Sequence, residues 1–342
     1  MRRKVAIVLA ALFYYSGLVH LVVWCGRLPR RNVIILNYHR AMEGDLRRHL
    51  LYFRRFYRVL HLEEALEELY ADSGKTQRKD WRTPLVITFD DGHRDNYTYA
   101  FALARELQLP ITIFLATGYI ESGDNFWWLE SKRMVEHTSL KEVTLEESTY
   151  QLDEAEERDS LYQMIDAHFH NAKSVAEREA FLIEMRSTLA VPLTFTPEEE
   201  LLLPMNWEQI REMDRSAWVT FGAHTVNHPT LSCLTDATEL QQEVSGCRVV
   251  MEEQLGHPVR AFAYPIGKPK DIGEKALRAV KETGYSWAVT TVSGVNTPNC
   301  NPYQLLRLSS NVSDHWLLQA ASVAGIWKFV SPQWRKTYQP SN

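Results

Sequence analysis

The sequence predicts an α/β fold of parallel strands with helices packed on both faces, interrupted by a helical insertion. Three observations predict it. Short apolar runs recur along the chain and carry no solvent-facing alternation, as strands buried on both sides require. The segments between them show apolar residues at helical spacing. That rhythm lapses between about residues 124 and 205, where the composition turns acidic and helical, and then resumes.

The first element stands apart from the rest. After Met1-Arg-Arg-Lys4 come about twenty mostly apolar residues, Val5 to Trp24, a length that at 1.5 Å per residue just crosses a bilayer core. A cleaved signal peptide wants a shorter core and small residues at its exit, whereas this one ends Val22-Val-Trp-Cys-Gly26. Residues 1–30 therefore read as a membrane anchor or uncleaved signal. Basic residues flank both ends (Arg2, Arg3, Lys4 and Arg27, Arg30, Arg31), so the positive-inside bias nearly cancels. The expected location is a bacterial inner membrane, with the main body of the chain periplasmic or extracellular.

Asn32–Tyr38 is the first expected strand and delivers His39 at its end. Residues 46–70 are expected to be helical, the second strand begins at Pro84, residues 95–107 are helical, and Pro110–Ala116 is the third strand. After the insertion, Trp218–Ala223 runs into His224. Asp236 and Glu239 resemble a capping pair opening a helix that Gly256 ends. Ala261–Tyr264 and Trp287–Thr291 are further strands, with a helix at about 271–283 between them. Leu317–Phe329 is apolar and aromatic, suited to packing or to a membrane surface. The domain reading is thus 1–30, a single large domain over 31–330 that includes the insertion at about 124–205, and a tail over 331–342.

Composition narrows the function. At 342 residues, 45% hydrophobic and 24% charged, the chain has ample material for a core. A net charge of −5 with no dominant basic patch argues against nucleic acid as a partner. Cys25, Cys233, Cys247 and Cys300 are scattered without a Cys-x-x-Cys pair, which argues against zinc knuckles; four free thiols are expected, a Cys233–Cys247 bridge in an oxidising compartment being the alternative.

Chemistry gathers at the strand ends. Asp90 and Asp91 follow the run Leu85–Ile87 and precede Gly92, and His224 and His228 lie four apart after another strand. One Asp with two His is a three-ligand set for a divalent metal that leaves a position for water, and the second Asp is a candidate general base. Taken singly, Asp-Asp-Gly is a common turn, paired histidines are often surface accidents, and a lone His39 is usually a core residue. In a fold of parallel strands, however, residues that end strands converge on one rim, and His39, Asp90/Asp91, His224/His228 and Tyr264-Pro-Ile-Gly267 all end strands.

Thr88-Phe-Asp-Asp91, His224-x-x-x-His228 and Pro265-Ile-Gly267 resemble three motifs of the polysaccharide deacetylases (carbohydrate esterase family four), over roughly residues 32–310. The resemblance implies a distorted, incomplete (β/α) barrel and removal of acetyl groups from an N-acetylated glycan, an N-acetylhexosamine polymer or a lipid-linked glycan. It implies Asp90 as base, Asp91, His224 and His228 as ligands of a divalent metal, commonly zinc, and the Ile266 N–H beside the oxyanion. Tyr264 is expected at the substrate with it. The pattern departs twice. Ala263 stands where the family has an arginine that orients the base, and Arg307 is the candidate replacement. The late Leu-x-His that carries the acid is missing. A permuted subgroup acting on exported polysaccharides places that His on an early strand, as Leu36-Asn-Tyr-His39 does, so His39 rather than His315 is the expected acid. Trp127, with Trp128, is a candidate sugar platform, core packing being the alternative. Two other functions stay open: a non-catalytic carbohydrate-binding relative, and a glycoside hydrolase, for which adjacent carboxylates are poorly placed.

Overall fold

The apolar runs become the strands of one curled sheet. The computed structural model describes residues 2–25, 31–42, 44–71, 80, 82–145, 148–192 and 194–326. Its strands are β1 (Ile34–Tyr38), β2 (Arg58–Val59), β3 (Pro84–Phe89), β4 (Ile111–Leu115), β5 (Glu142–Leu145), β6 (Ser148–Gln151), β7 (Val219–Ala223), β8 (Ala261–Ala263), β9 (Trp287–Val289) and β10 (Leu308–Ser309). The main sheet runs β10-β1-β3-β4-β7-β8-β9, with β2 beside β3, and every pairing between its strands is parallel. Leu308 pairs with Leu36 of β1 while Leu305 bridges to Val289 of β9. The segment 305–309 thus touches both edges and draws the sheet into the expected incomplete barrel.

Alternation along each strand sorts its side chains. Ile35, Val86, Phe114, Ala261, Ala263, Val289 and Leu305 share one buried cluster with Leu62, Ala65, Leu66 and Leu69, and they fill the barrel. Their neighbours Ile34, Leu36, Leu85, Ile87, Ile111, Ile113 and Leu115 face the surrounding helices in a larger cluster. Both faces are apolar, which is why the strands read as continuous apolar runs.

Several expectations are corrected. Residues 46–70 form two helices, Leu46–Phe56 and Leu62–Tyr70, rather than one. Between them Arg58 and Leu60 donate their amides to Thr83 and Leu85, and this pairing with β3 overrides local helical preference. The helix at 95–107 opens with a π-helical stretch, Asn96–Phe101, before Ala102–Leu107. Asp236 caps Ala237–Leu255 as foreseen, but Glu239 bonds the Val175 amide at 2.7 Å instead of closing a capping box. Cys233, Cys247 and Cys300 are free thiols, in agreement with the expectation of scattered unpaired cysteines.

The insertion has its own apolar cluster, built on Phe126, Trp127, Leu161, Ile165, Phe169, Leu182 and Met185. Helices Trp127–His137, Ala155–Asn171 and Val175–Thr188 supply most of it, and the antiparallel hairpin β5–β6 was not foreseen in so acidic a stretch. Of the expected 317–329 helix, Trp316–Val323 is present. Residues from 327 onward, including the 331–342 tail, lie outside the described residues.

The expected continuous N-terminal span is instead two helices, Arg2–Tyr15 and Leu18–Cys25, bent by 64°. Gly17, at φ +81°, makes the break in a conformation open to glycine. No single described helix is long and apolar enough to cross a membrane.

Candidate metal centre

The C-terminal rim is where the backbone is most strained. Six described non-glycine residues have positive φ, and four of them, Asp91, Thr225, His228 and Ile266, belong to the predicted motifs. Such conformations each cost of order 1–3 kcal/mol and persist where the surroundings dictate them. At Asp91 (φ +75°) the turn breaks the strand's alternation and lifts the side chain to the rim, while Asp90 keeps pointing inward.

Asp91 Oδ1 lies 3.5 Å from His224 Nε2 and 3.6 Å from His228 Nε2, and all three side chains are buried. Two ligands about 2.0–2.1 Å from one tetrahedral ion sit about 3.4 Å apart, so these separations suit a shared cation. The buried Asp91 Oδ1 has no hydrogen-bond donor, a costly state that a cation would relieve. One carboxylate with two imidazoles also fits zinc and its neighbours. The residues fit the metal.

Partners hold each ligand in place. His224 Nδ1 bonds the Ala263 carbonyl at 2.7 Å, which aims Nε2 at the centre. Ala263 thus contributes its backbone where the family motif has a side chain. The loop bearing His228 is held by Glu243, which accepts from the amides of Val226 (3.1 Å) and Asn227 (2.8 Å) and from Asn227 Nδ2 (2.7 Å). At Gly118 an added Cβ would sit 2.8 Å from the Val226 carbonyl, so only glycine lets this loop approach. Burial lowers the His228 imidazole to about 3, which keeps it neutral as a ligand must be.

His93, missed in the sequence, bonds Asp91 Oδ2 at 3.2 Å with Nε2 and the Leu202 carbonyl at 2.6 Å with Nδ1. Burial alone would lower it, but the Asp91 carboxylate outweighs burial and raises it. Its signal was adjacency to Asp-Asp-Gly, which turn statistics do not reward.

Asp90 is gripped at both oxygens by Arg307, Nη1 and Nη2 each at 2.7 Å. Arg307 is fully buried, with Nε on the Thr290 carbonyl at 2.8 Å and Nη1 on Thr88 Oγ1 at 3.1 Å. Burial would raise the Asp90 carboxyl, yet the guanidinium holds it below the ordinary carboxylate range. Arg307 therefore stands beside Asp90 from the residue just before β10, remote from β8, where Ala263 takes the place of the motif arginine.

His39 is exposed at the end of β1, close enough for its charge to act on Asp90, Asp91 and His228. Its loop is pinned by Asp95, which accepts from the amides of Ala41 (2.8 Å) and Met42 (3.0 Å), and by Asn96, which donates to the His39 carbonyl at 3.0 Å. His315 instead caps its own helix, Nδ1 accepting from the Leu317 amide at 3.3 Å. Ile266 (φ +60°) is partly exposed, and its carbonyl is tied to Thr291 Oγ1 at 2.8 Å.

Two expected substrate residues are corrected. Tyr264 is fully buried, its hydroxyl donating to the Tyr303 carbonyl at 3.1 Å, because its ring completes the core beside Phe262. Trp127 has no free face for a sugar. It is buried in the insertion's core under the Arg178 guanidinium, and its Nε1 donates to the His228 carbonyl at 3.0 Å. Trp128 is half-buried, its ring 4.1 Å from the His228 ring.

A family model described as polysaccharide deacetylase matches residues 77–178 and 163–288. YxkH of Bacillus subtilis, a polysaccharide deacetylase by name, is 28% identical over 101 residues, 30% of this chain and 34% of that protein. The match thus spans about a third of that relative's length. Among solved structures, the Streptococcus pyogenes deacetylase PplD, in complex with acetate, has a TM-score of 0.54 at 18% identity, covering 84% of this chain and 97% of that one. IcaB from Ammonifex degensii has a TM-score of 0.54 at 18% identity, covering 86% and 97%.

Proposed function

This chain belongs to the polysaccharide deacetylase family, a family of amide hydrolases, and we propose that it removes N-acetyl groups from an N-acetylhexosamine-containing polysaccharide or lipid-linked glycan with a divalent metal, zinc by its donor set. The observation that carries this reading is one buried Asp91 oxygen set between two imidazole nitrogens, directly beside an arginine-clamped Asp90. Asp91, His224 and His228 would hold the cation. Bound there, it would acidify water and polarise the acetyl carbonyl.

The chain's own residues supply the rest. Asp90 takes a proton from the attacking water, since Arg307 keeps it ionised and a carboxylate retains lone pairs beyond the two bonds to the guanidinium. The Ile266 N–H stands at the developing oxyanion, the role for which its strained backbone is suited. His39, on the exposed side, gives a proton to the leaving amine so that nitrogen departs neutral. The domain reading follows: 31–330 catalytic, with the 124–205 insertion buttressing His228 through Trp127. We place the chain at a bacterial inner membrane through its N-terminal helices, the catalytic part periplasmic or extracellular.

The test is acetate release from N-acetylglucosamine oligomers, with chelator and then with metal restored. Release that stops with chelator and returns with zinc is expected. Release indifferent to chelator overturns the metal assignment, and oligomer binding without release points to a carbohydrate-binding relative.

A further inference from the structure

Among the described residues, the outer surface of the N-terminal helices has no partner. In Arg2–Tyr15, Ala6 and Ala10 are buried against Leu317, Leu318 and Ala321 of the helix Trp316–Val323. In Leu18–Cys25, Val19 and Val23 join the main core. Each helix is thus seated on the protein by one stripe. The opposite stripe exposes Val5, Val8, Leu12, Tyr15, Leu18, Leu21 and Trp24, with Tyr15 76% and Trp24 61% accessible. These are seven of the eleven large hydrophobic side chains exposed among the described residues. A helix apolar on both stripes, with only one covered, calls for a second apolar environment.

A groove of about 660 Å³ opens beside this surface, lined by Tyr14, Leu51, Tyr52, Phe56 and Trp316 together with Arg48, Arg54 and Arg55. Arg54 and Arg55 are exposed and make no ion pair with a carboxylate among the described residues, and Arg48 reaches only Asp45, at 3.4 Å. Apolar side chains edged by aromatic rings and arginines match the boundary of a leaflet: the first enter the acyl region, the rings sit at headgroup depth, and the guanidiniums meet phosphates. The geometry also opposes a span. A fourteen-residue helix is about 21 Å long against a hydrocarbon core of about 30 Å, and the second arm turns away by 64°.

We propose that the bent helix pair lies flat in one leaflet of an anionic membrane, and that the groove holds a phospholipid headgroup on Arg54 and Arg55. The inference rests on the membrane location offered above and replaces a crossing anchor by a surface seat. The helix Leu46–Phe56, which lines the groove, begins near the rim that carries His39 and leads away from it. The membrane therefore meets the barrel's flank, and the catalytic mouth stays open to glycan.

The experiment uses the full chain with vesicles of phosphatidylglycerol and phosphatidylcholine, compared with phosphatidylcholine alone. Arg54→Gln with Arg55→Gln should weaken binding to the anionic vesicles about 30-fold, each charge contributing roughly a factor of five at such a surface, and leave neutral vesicles unaffected. Leu12→Asp with Leu21→Asp should weaken both. Unchanged acetate release on soluble oligomers shows that the variants are folded. Alkaline carbonate should strip the wild-type chain from the vesicles. Release only by detergent sinks the surface seat while sparing the membrane location, and no vesicle binding by the wild type sinks both. Equal loss on the two vesicle types in the arginine variant overturns the headgroup site. A concentration-dependent dimer that binds no vesicles assigns the surface to a second copy.

Discussion

The two sides of the rim are built to different standards. On the β3–β7–β8 side, Asp90, Asp91, His224 and His228 are buried and each is held by a further protein group: Arg307, His93, the Ala263 carbonyl and the Glu243-bound loop. On the β1 side His39 is exposed, and the bonds that fix its loop, from Asp95 and Asn96, reach its backbone. The difference teaches which steps demand preorganisation. In the proposed reaction a metal and an ionised base must be in place before substrate arrives, because water would otherwise satisfy them at random. The proton donor that the same reaction assigns to His39 is needed only once the glycan fills the mouth, and an exposed ring can exchange its proton with solvent between turnovers.

The largest effect should come from the locked side. Asp91→Ala removes the ligand on which both imidazoles converge, and metal content should fall from near one per chain to near zero, with activity following. Metal analysis of the dialysed protein checks it, and full occupancy would dismiss the assignment. Next in size, Asp90→Asn should keep the metal and cost about three orders of magnitude in kcat. An amide in place of the carboxylate also leaves Arg307 facing a neutral partner in a buried site, so a thermal melt must accompany the kinetics.

What could be read from the chain divides along the same line. Asp90, Asp91, His224 and His228 were legible because they sit within a few residues of apolar strands, and a parallel fold gathers strand ends on one rim. Arg307 was legible only as a candidate: the bond to Asp90 joins residues 217 positions apart, and no local pattern announces it. His93, Asp95, Asn96 and Glu243 were missed since each acts through hydrogen bonds that only the fold brings together. Tyr264 and Trp127 were misassigned for a physical reason. Aromatic residues near a motif are as useful beneath a site as in front of it, and sequence does not record which side of the backbone is wet. The bend at Gly17 was visible as a glycine, but an apolar run reads as one helix until a positive φ divides it.

The exposed side offers a discriminating experiment. His39→Ala should slow hydrolysis of an acetamide by about two orders of magnitude, because an amine is a poor leaving group unless protonated. An activated aryl acetate, whose leaving group departs as a stable anion, should be nearly indifferent. Equal losses on both substrates would move His39 from proton donor to substrate binding and erase the functional contrast between the two sides.

The smallest effect concerns what holds β1 from behind. Tyr38, the residue before His39, bonds His49 Nδ1 at 3.0 Å, and His49 Nε2 bonds the Asp314 carbonyl at 2.9 Å. Burial lowers the His49 imidazole to about 4, so it is neutral when folded while its unfolded counterpart titrates near 6.5. Between these values the unfolded chain binds a proton that the folded chain does not, so stability present above pH 6.5 is lost as pH falls toward 4. The loss amounts to roughly 3 kcal/mol over that window. Urea unfolding of the wild type and His49→Gln at pH 7 and pH 4.5 isolates this contribution, since all other titrations are common to both proteins. The variant should start less stable and lose less on acidification. If the two proteins lose the same amount, His49 is not the titrating group behind β1, and the His39 side must be held by something other than a neutral imidazole.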